Sequence, residues 1–308
     1  MISEAYAGLQ SQAVGLAEAA GFSPQVVPIL PRAPWRWVSA RFWPDPLRAV
    51  GWPALGDGVL FSAGGTAAVV AAARKPDSSG RRGQLVQVQH PRMDVRRFDV
   101  VVVNRHDGLT GPNVVVTRTA LHGVTQARLE AARVEWGPVF THLPRPLVAV
   151  LVGGSNGRFR LDGAVAAALG GQLAEMMRRD RVGVAMTPSR RTSAAAKAAL
   201  AGAVGPLGGW MWDGSGQNPY LGLLACADAI VVTEDSVSMV SEAVATGAPV
   251  LLAPLPGRST RIRLFTRLLV EDGRVRPFAG RFESWPVVPL DDTAIAGDEV
   301  RRRLGLPR

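Results

Sequence analysis

The chain has 308 residues, room for about two domains of roughly 150 residues each, and its 47% hydrophobic and 19% charged content excludes a disordered tail. Its 34 glycines and 23 prolines are scattered, which excludes a collagen-like repeat, and a single cysteine, Cys226, excludes an intramolecular disulfide or a thiolate zinc cage. The net charge is +10, with lysine only at Lys75 and Lys197 among 35 basic residues; the arginine excess reads either as a lineage bias on a solvated surface or as recognition of anions, which guanidinium binds bidentately.

The N-terminus, MISEAYAGLQ, has Glu4 where a signal peptide has basic residues, so the expected location is cytoplasmic. Residues 8–20 read as a helix, with Leu9, Ala13, Leu16 and Ala20 at helical spacing and Gly21 as its stop. An open α/β domain ordinarily begins with a strand. Either the first strand of this half is absent or the chain starts further upstream.

Strands are expected near Gln25–Leu30, Gly58–Ser62, Leu85–Gln89, Asp99–Val103 and Asn113–Thr117, with helices over Gly65–Arg74 and Thr125–Val134. Between the first two strands, Pro31–Pro53 holds Trp35, Trp37, Trp43 and Trp52 among Arg32, Arg36, Arg41 and Arg48. That lobe reads as indoles packed under a loop, or as an aromatic and basic patch for an anionic membrane surface or a partner. The longest apolar stretch, Val59–Ala73, is interrupted by Ser62, Gly64, Gly65 and Thr66, so no segment spans a bilayer.

THLPRP at Thr141–Pro146 marks the expected boundary, giving domains 1–144 and 145–308. Five strands then alternate with helices: Leu147–Val152, Val182–Thr187, Trp210–Trp212, Ala229–Thr233 and Pro249–Ala253. The helices are Asp162–Arg178, Ser193–Gly202, Pro219–Cys226, Ser236–Thr246 and Thr260–Glu271. A last helix is read at the tail, capped by Asp292 or Thr293, with its return to the first domain left open. The rhythm is that of doubly wound parallel sheets.

The motifs exclude several chemistries. Neither lysine sits in a Walker A loop, and GxGxxG is absent. His90, His106, His122 and His142 lie 16 to 20 residues apart and form no metal-ligand pair, so no metal is expected. Gly153–Gly157 fits GxSxG, but every histidine precedes Ser155, against the hydrolase order. The segment reads better as an anion loop, in which Gly153 and Gly154 let the backbone approach a phosphate while Ser155 and Arg158 donate to it.

In open α/β sheets, ligands sit beyond the carboxyl ends of the strands. In the second half those ends carry Gly153–Arg160, Pro188–Thr192, Asp213–Asn218, Glu234–Ser236 and Leu255–Arg261. Thr187, Ser189 and Arg190 are diphosphate candidates; Asn218 and Ser236 are helix N-cap candidates, where negative charge is favoured. Glu234 lies on the same rim. Ser238 and Glu242 share a helix side, and Glu242 reads as an exposed helical carboxylate or as an acceptor for two ribose hydroxyls. In the first half, His106 and Asp107 follow a strand and read as a turn held by Asx-type bonds or as a general base.

From Ser215 to Val250 the chain reads SGQNPYLGLLACADAIVVTEDSVSMVSEAVATGAPV. With LVGGSNGRFRLD (Leu151–Asp162), HPRMDVRRFDVVVVNRHDGLTGPNVVVT (His90–Thr117) and the Trp285–Thr293 tail, it closely resembles the mitochondrial-fission "elongated mitochondria" family, largely bacterial with plant members named for organelle fission. That family is similar to GT-B glycosyltransferases. The resemblance implies two Rossmann-like domains facing a cleft, with a nucleoside-diphosphate sugar on the C-terminal side and no other cofactor. It also implies glycosyl transfer to a cell-envelope acceptor or, alternatively, a non-catalytic scaffold at a membrane surface, with peripheral placement at the inner membrane left open. It gives Gly153–Ser155 a diphosphate role and Glu242 a ribose role. Nucleic acid is not an expected partner. The departure from the family pattern is the N-terminal loop, Ser3–Gly8, which stands without the usual preceding strand.

Overall fold

The computed structural model describes residues 1–4, 7–52, 58–74 and 83–307. Ala5, Tyr6, Pro53 and Lys75, which figure in the sequence reading, lie outside the described residues. The chain divides into two compact units, Met1–Gly123 with Asp291–Arg308, and Val124–Leu290.

Unit 1 contains β1 (Ile2–Ser3), α1 (Ala7–Ala19), β2 (Val27–Pro28), α2 (Pro46–Val50), β3 (Leu60–Ala63), α3 (Gly65–Ala72), β4 (Leu85–Val88), β5 (Val100–Asn104) and β6 (Val114–Thr117). They form a parallel six-stranded sheet in the order β2-β1-β3-β4-β5-β6. The first strand is therefore present. Ile2 and Ser3 pair with Val27 and Pro28 on one side and with Ser62 and Ala63 on the other. Two residues are too short a run for an alternation pattern to reveal, although both are fully buried.

Unit 2 contains α4 (Gln126–Trp136), β7 (Leu147–Val152), α5 (Gly163–Asp180), β8 (Gly183–Pro188), α6 (Ala194–Val204), β9 (Trp210–Met211), α7 (Tyr220–Cys226), β10 (Ala229–Thr233), α8 (Val237–Val244), β11 (Val250–Ala253), α9 (Thr260–Glu271) and β12 (Val275–Pro277). Its parallel sheet runs β12-β11-β10-β7-β8-β9. This order is that of a dinucleotide-binding sheet, with its switch point between β7 and β10. A sixth strand, β12, joins the five expected ones at the edge, where Pro277 is tolerated.

Both faces of each sheet are covered. On β7, Val148, Val150 and Val152 pack with Leu173 and Met176 of α5 and Leu200 of α6. Leu147, Ala149 and Leu151 face the other way, into a cluster with α4, α7, α8 and α9. Burial on both faces is why these strands read as unbroken apolar runs. In unit 1, β3 to β5 send alternate residues toward α3 and toward α1 in the same manner.

Residues 124–144 were expected with the first domain, yet they belong to unit 2. Leu129, Ala132, Phe140 and Leu143 share one buried cluster with β7 and α7. Conversely, α10 (Asp292–Arg303) belongs to unit 1, where Ala296, Val300 and Leu304 pack with Leu16 and Ala17 of α1. Its N-cap is Asp291 rather than Asp292 or Thr293, and Asp291 accepts from Thr293 N at 3.0 Å. Asp292 points inward instead. It is 5% exposed, pairs with the Arg118 guanidinium, and accepts from the Thr119 amide at 3.2 Å.

Asp292 is the buried member of this pair; removing it takes the acceptor from the Arg118 and Thr119 amides, while the Arg118 guanidinium, 39% exposed, turns to water. Asp292→Ala is expected to destabilise unit 1 by about 1–3 kcal/mol, read as a lower urea midpoint, whereas Asp298→Ala on the same helix is expected to stay within about 0.5 kcal/mol of wild type. Equal effects would remove the anchoring role of Asp292.

Candidate functional site

The carboxyl ends of β7, β8, β10 and β11 are joined through side chains of unit 2. Asp235, two residues past the end of β10, is the centre. Its side chain is fully buried and forms an ion pair with Arg191 at 2.8 Å. It also accepts from the Thr233 hydroxyl at 2.7 Å and from the Gly154 amide at 3.2 Å. Arg191 donates in turn to the Gly154 carbonyl at 3.0 Å, and the Gly153 amide donates to Thr233 Oγ1 at 2.8 Å. Three strand-end loops are thereby tied to one carboxylate.

The two glycines are required by this junction. A Cβ on Gly153 would lie 2.1 Å from Asp235 Oδ1, and one on Gly154 would lie 2.2 Å from the Arg191 carbonyl oxygen. From sequence, these glycines are expected to let a phosphate approach the backbone. In the structure their amides donate inward, to Thr233 and Asp235. Asp235, Arg191 and Thr233 were missed as partners; the signal available was an acid, flanked by hydroxyl residues, two residues past a buried strand.

The rest of the 153–162 loop is also internally bonded. Ser155 Oγ accepts from the Leu161 amide at 2.9 Å, and Asn156 Oδ1 accepts from the amides of Arg158 and Phe159. Phe159 pairs with Gly257, and the Arg160 amide donates to the Pro256 carbonyl at 2.8 Å, so the loop after β11 joins the group. Glu234 accepts from the Leu255 amide at 2.9 Å and holds that same loop. Thr187 is buried within β8; Ser189 and Thr192 face each other at 3.2 Å, while Arg158 and Arg190 are exposed.

Helix α8 begins at the switch point. Ser236 is its N-cap and accepts from the Met239 amide at 3.3 Å. The N-cap position of α7 falls on Pro219 and not on Asn218, yet Asn218 Oδ1 still accepts from the Tyr220 amide at 3.0 Å. Ser238 lies in the first turn of α8, half-buried. Glu242 is not an exposed helical carboxylate: it is half-buried and accepts a hydrogen bond from the Tyr220 hydroxyl. Burial pushes the Glu242 carboxyl up, partly offset by the Tyr220 bond; burial and the adjacent carboxylate push the Tyr220 phenol well above its usual range.

His106 and Asp107 sit in unit 1 at the carboxyl end of β5, their side chains 2% and 6% exposed and 3.8 Å apart. Asn104 and Asp107 form a reciprocal cap: Asn104 Oδ1 accepts from the His106 amide, and Asp107 accepts from the Asn104 amide. The pair thus first serves to hold the turn.

A sequence profile described as Mitochondrial fission ELM1 matches residues 7–304. The chain belongs to the mitochondrial fission ELM1 family. It is 36% identical over 247 residues to Mitochondrial fission protein ELM1 of Arabidopsis thaliana, an alignment covering 71% of this chain; the chain spans 58% of the length of that curated relative. Among solved structures it is similar to Os79 from O. sativa in complex with UDP, with a TM-score of 0.53 and 10% identity over 99% of this chain and 91% of that one. It is also similar to UDP-GlcNAc 2-epimerase from Methanocaldococcus jannaschii, with a TM-score of 0.51 and 11% identity over 97% and 90% of the two chains. This ELM1-family member therefore has the α/β fold of the GT-B type, with two parallel six-stranded sheets flanked by helices.

The Glu242 environment has a pH signature. The raised carboxyl keeps its proton in the folded state at pH values where the unfolded chain has lost it. Stability is therefore full below the ordinary carboxylate range and falls as pH rises through the native value. Glu242→Gln, which still accepts from Tyr220 but carries no charge, is expected to unfold at higher urea than wild type near pH 8 and to lose that advantage toward about pH 4. An advantage that grew on acidification would instead place the ionised carboxylate in a stabilising pair.

Proposed function

We propose that the strand-end rim of unit 2 binds a nucleoside-diphosphate sugar and that the protein is a GT-B-type glycosyltransferase acting on a cell-envelope acceptor. The observation that carries this reading is helix α8. Its N-terminus opens at the β7/β10 switch point, where orphan amides and the helix dipole favour phosphate. Glu242 follows five residues after Val237, roughly 7.5 Å along the axis, and its side chain leans back toward the N-terminus. Phosphate at the helix start and sugar hydroxyls at Glu242 fit that spacing. The Tyr220 hydroxyl uses one of about four acceptor positions on the carboxylate and leaves capacity for ribose.

In this reading the leaving diphosphate gains negative charge as the sugar bond breaks. The α8 amides and exposed Arg190 stabilise that charge without reorganising, in place of a metal. The Asp235–Arg191 junction positions the loops and does not touch the donor. His106 and Asp107 of unit 1, the base candidates from sequence, have side chains 2% and 6% exposed, so in this reading they hold the turn after β5.

A second reading, a non-catalytic scaffold, is favoured by the glycine loop. The Gly153 and Gly154 amides already have protein acceptors, so a phosphate cradle at that position would have to displace them. The Arabidopsis relative carries the name of a fission protein, and a fission factor needs no sugar donor.

A thermal-shift screen with uridine, guanosine, cytidine and thymidine diphosphates separates the two. For the enzyme, one of them at 100-fold above its Kd is expected to add about 2.7 kcal/mol of stability, with the shift reduced by Arg190→Ala and by Glu242→Gln. No response to any of the four leaves the scaffold reading.

A further inference from the structure

The lobe from Leu30 to Trp52 is used neither by the strand-end rim nor by the core alone. Part of it is structural. Trp43 is buried, its indole N–H donates to the Val38 carbonyl at 2.9 Å, and Trp35 and Trp52 pack against the core of unit 1. The rest faces water. Leu30, Trp37 and Phe42 are 65%, 69% and 63% exposed. Two short turns, Trp35–Trp37 and Ala40–Phe42, present Trp37 and Phe42. Pro31, Pro34, Pro44 and Pro46 restrict the backbone between and around them.

Each exposed ring carries its own cation. The Arg36 guanidinium lies 4.1 Å from the centre of the Trp37 ring, and that of Arg41 lies 4.5 Å from the centre of the Phe42 ring. A groove of about 790 Å³ in the same lobe is lined by Arg32, Arg48, Leu47 and Trp52. The segment has four arginines against a single acid, Asp45, whose carboxylate caps α2 by accepting from the Arg48 amide at 3.1 Å.

We propose that this lobe docks on an anionic phospholipid bilayer, with Trp37 and Phe42 entering the headgroup–acyl boundary and Arg32, Arg36, Arg41 and Arg48 meeting lipid phosphates. Charge complementarity commits the surface to that occupant. Aromatic rings are favoured at the depth of the headgroups, and clustered arginine is drawn to the negative leaflet. The cation–π pairs place a guanidinium beside each ring, so that an inserted ring brings its cation to phosphate depth. Two short turns, each with an exposed ring, suit a fluid surface, which needs no matching shape. The proposal does not depend on whether unit 2 binds a nucleotide.

The test is sedimentation of the full chain with vesicles of phosphatidylcholine, with and without equimolar phosphatidylglycerol. Wild type is expected to pellet with the anionic vesicles and to release at high salt. Trp37→Ala with Phe42→Ala, and separately Arg36→Glu with Arg41→Glu, are each expected to lower partitioning about tenfold or more. Arg178→Glu with Arg263→Glu, an equal charge change on exposed positions of unit 2, is expected to leave it near wild type. A wild type that stays in the supernatant overturns the proposal. So does an aromatic pair that binds undiminished, or a unit 2 pair that weakens binding as much as the lobe pair. If a variant folds poorly, wild-type tryptophan fluorescence with brominated-acyl phosphatidylglycerol decides instead: quenching supports insertion, and its absence overturns it.

Discussion

A buried carboxylate is tolerated only when its charge is paired and its oxygens are hydrogen-bonded. Asp235 meets that demand with groups drawn from three strand ends: Arg191 after β8, the Gly154 amide after β7 and the Thr233 hydroxyl ending β10. The rim of unit 2 takes its shape from this requirement. Glycine stands at 153 and 154 because the carboxylate and the Arg191 backbone occupy the space a Cβ would need. With the loop pinned at its start, its far limb can bond to Pro256 and Gly257 beyond β11. Four strand-end loops thus form one connected surface, at the edge where a parallel sheet collects ligands.

The fold was legible wherever a segment is buried on both faces. β7 and β10 read from sequence with the bounds they have in the structure because Leu147–Val152 and Ala229–Thr233 are continuous apolar runs. Helix starts were legible when a short polar residue caps them; Thr125, Ser193 and Ser236 all accept from the amide three residues on. β1 and β12 were not legible, since two or three residues at the start of a sheet or at its edge carry no period. The cap of α10, expected at Asp292 or Thr293, is Asp291, because Arg118, which lies far away in the chain, claims Asp292.

The same limit applied at the site. That polar loops gather at the strand ends follows from the topology rule, and Ser236 stands at one of them as the N-cap of α8. Which of two adjacent arginines faces inward does not follow from it. Arg190 and Arg191 are equivalent in sequence, and only the position of Asp235 selects Arg191. Tyr220 was likewise invisible as the partner of Glu242, since α7 and α8 meet only after β10 has been placed between them in the chain.

Two features of the rim pull in opposite directions, and their energetics reconcile them. The inward-facing amides of Gly153 and Gly154 close the place where a glycine loop would hold a pyrophosphate. Glu242 does the reverse. A half-buried carboxylate with a raised pKa costs stability, and its Tyr220 bond only partly offsets burial; an apolar residue would fill the same volume without that cost. Donor hydroxyls from outside would stabilise the charge, and two ribose hydroxyls have that chemistry. A nucleotide can satisfy both constraints if its phosphates rest on the first turn of α8 and Arg190 and not in the glycine loop. In the proposed reading the loop acts through Asp235 as a fixed wall beside α8, and the helix would hold the nucleotide.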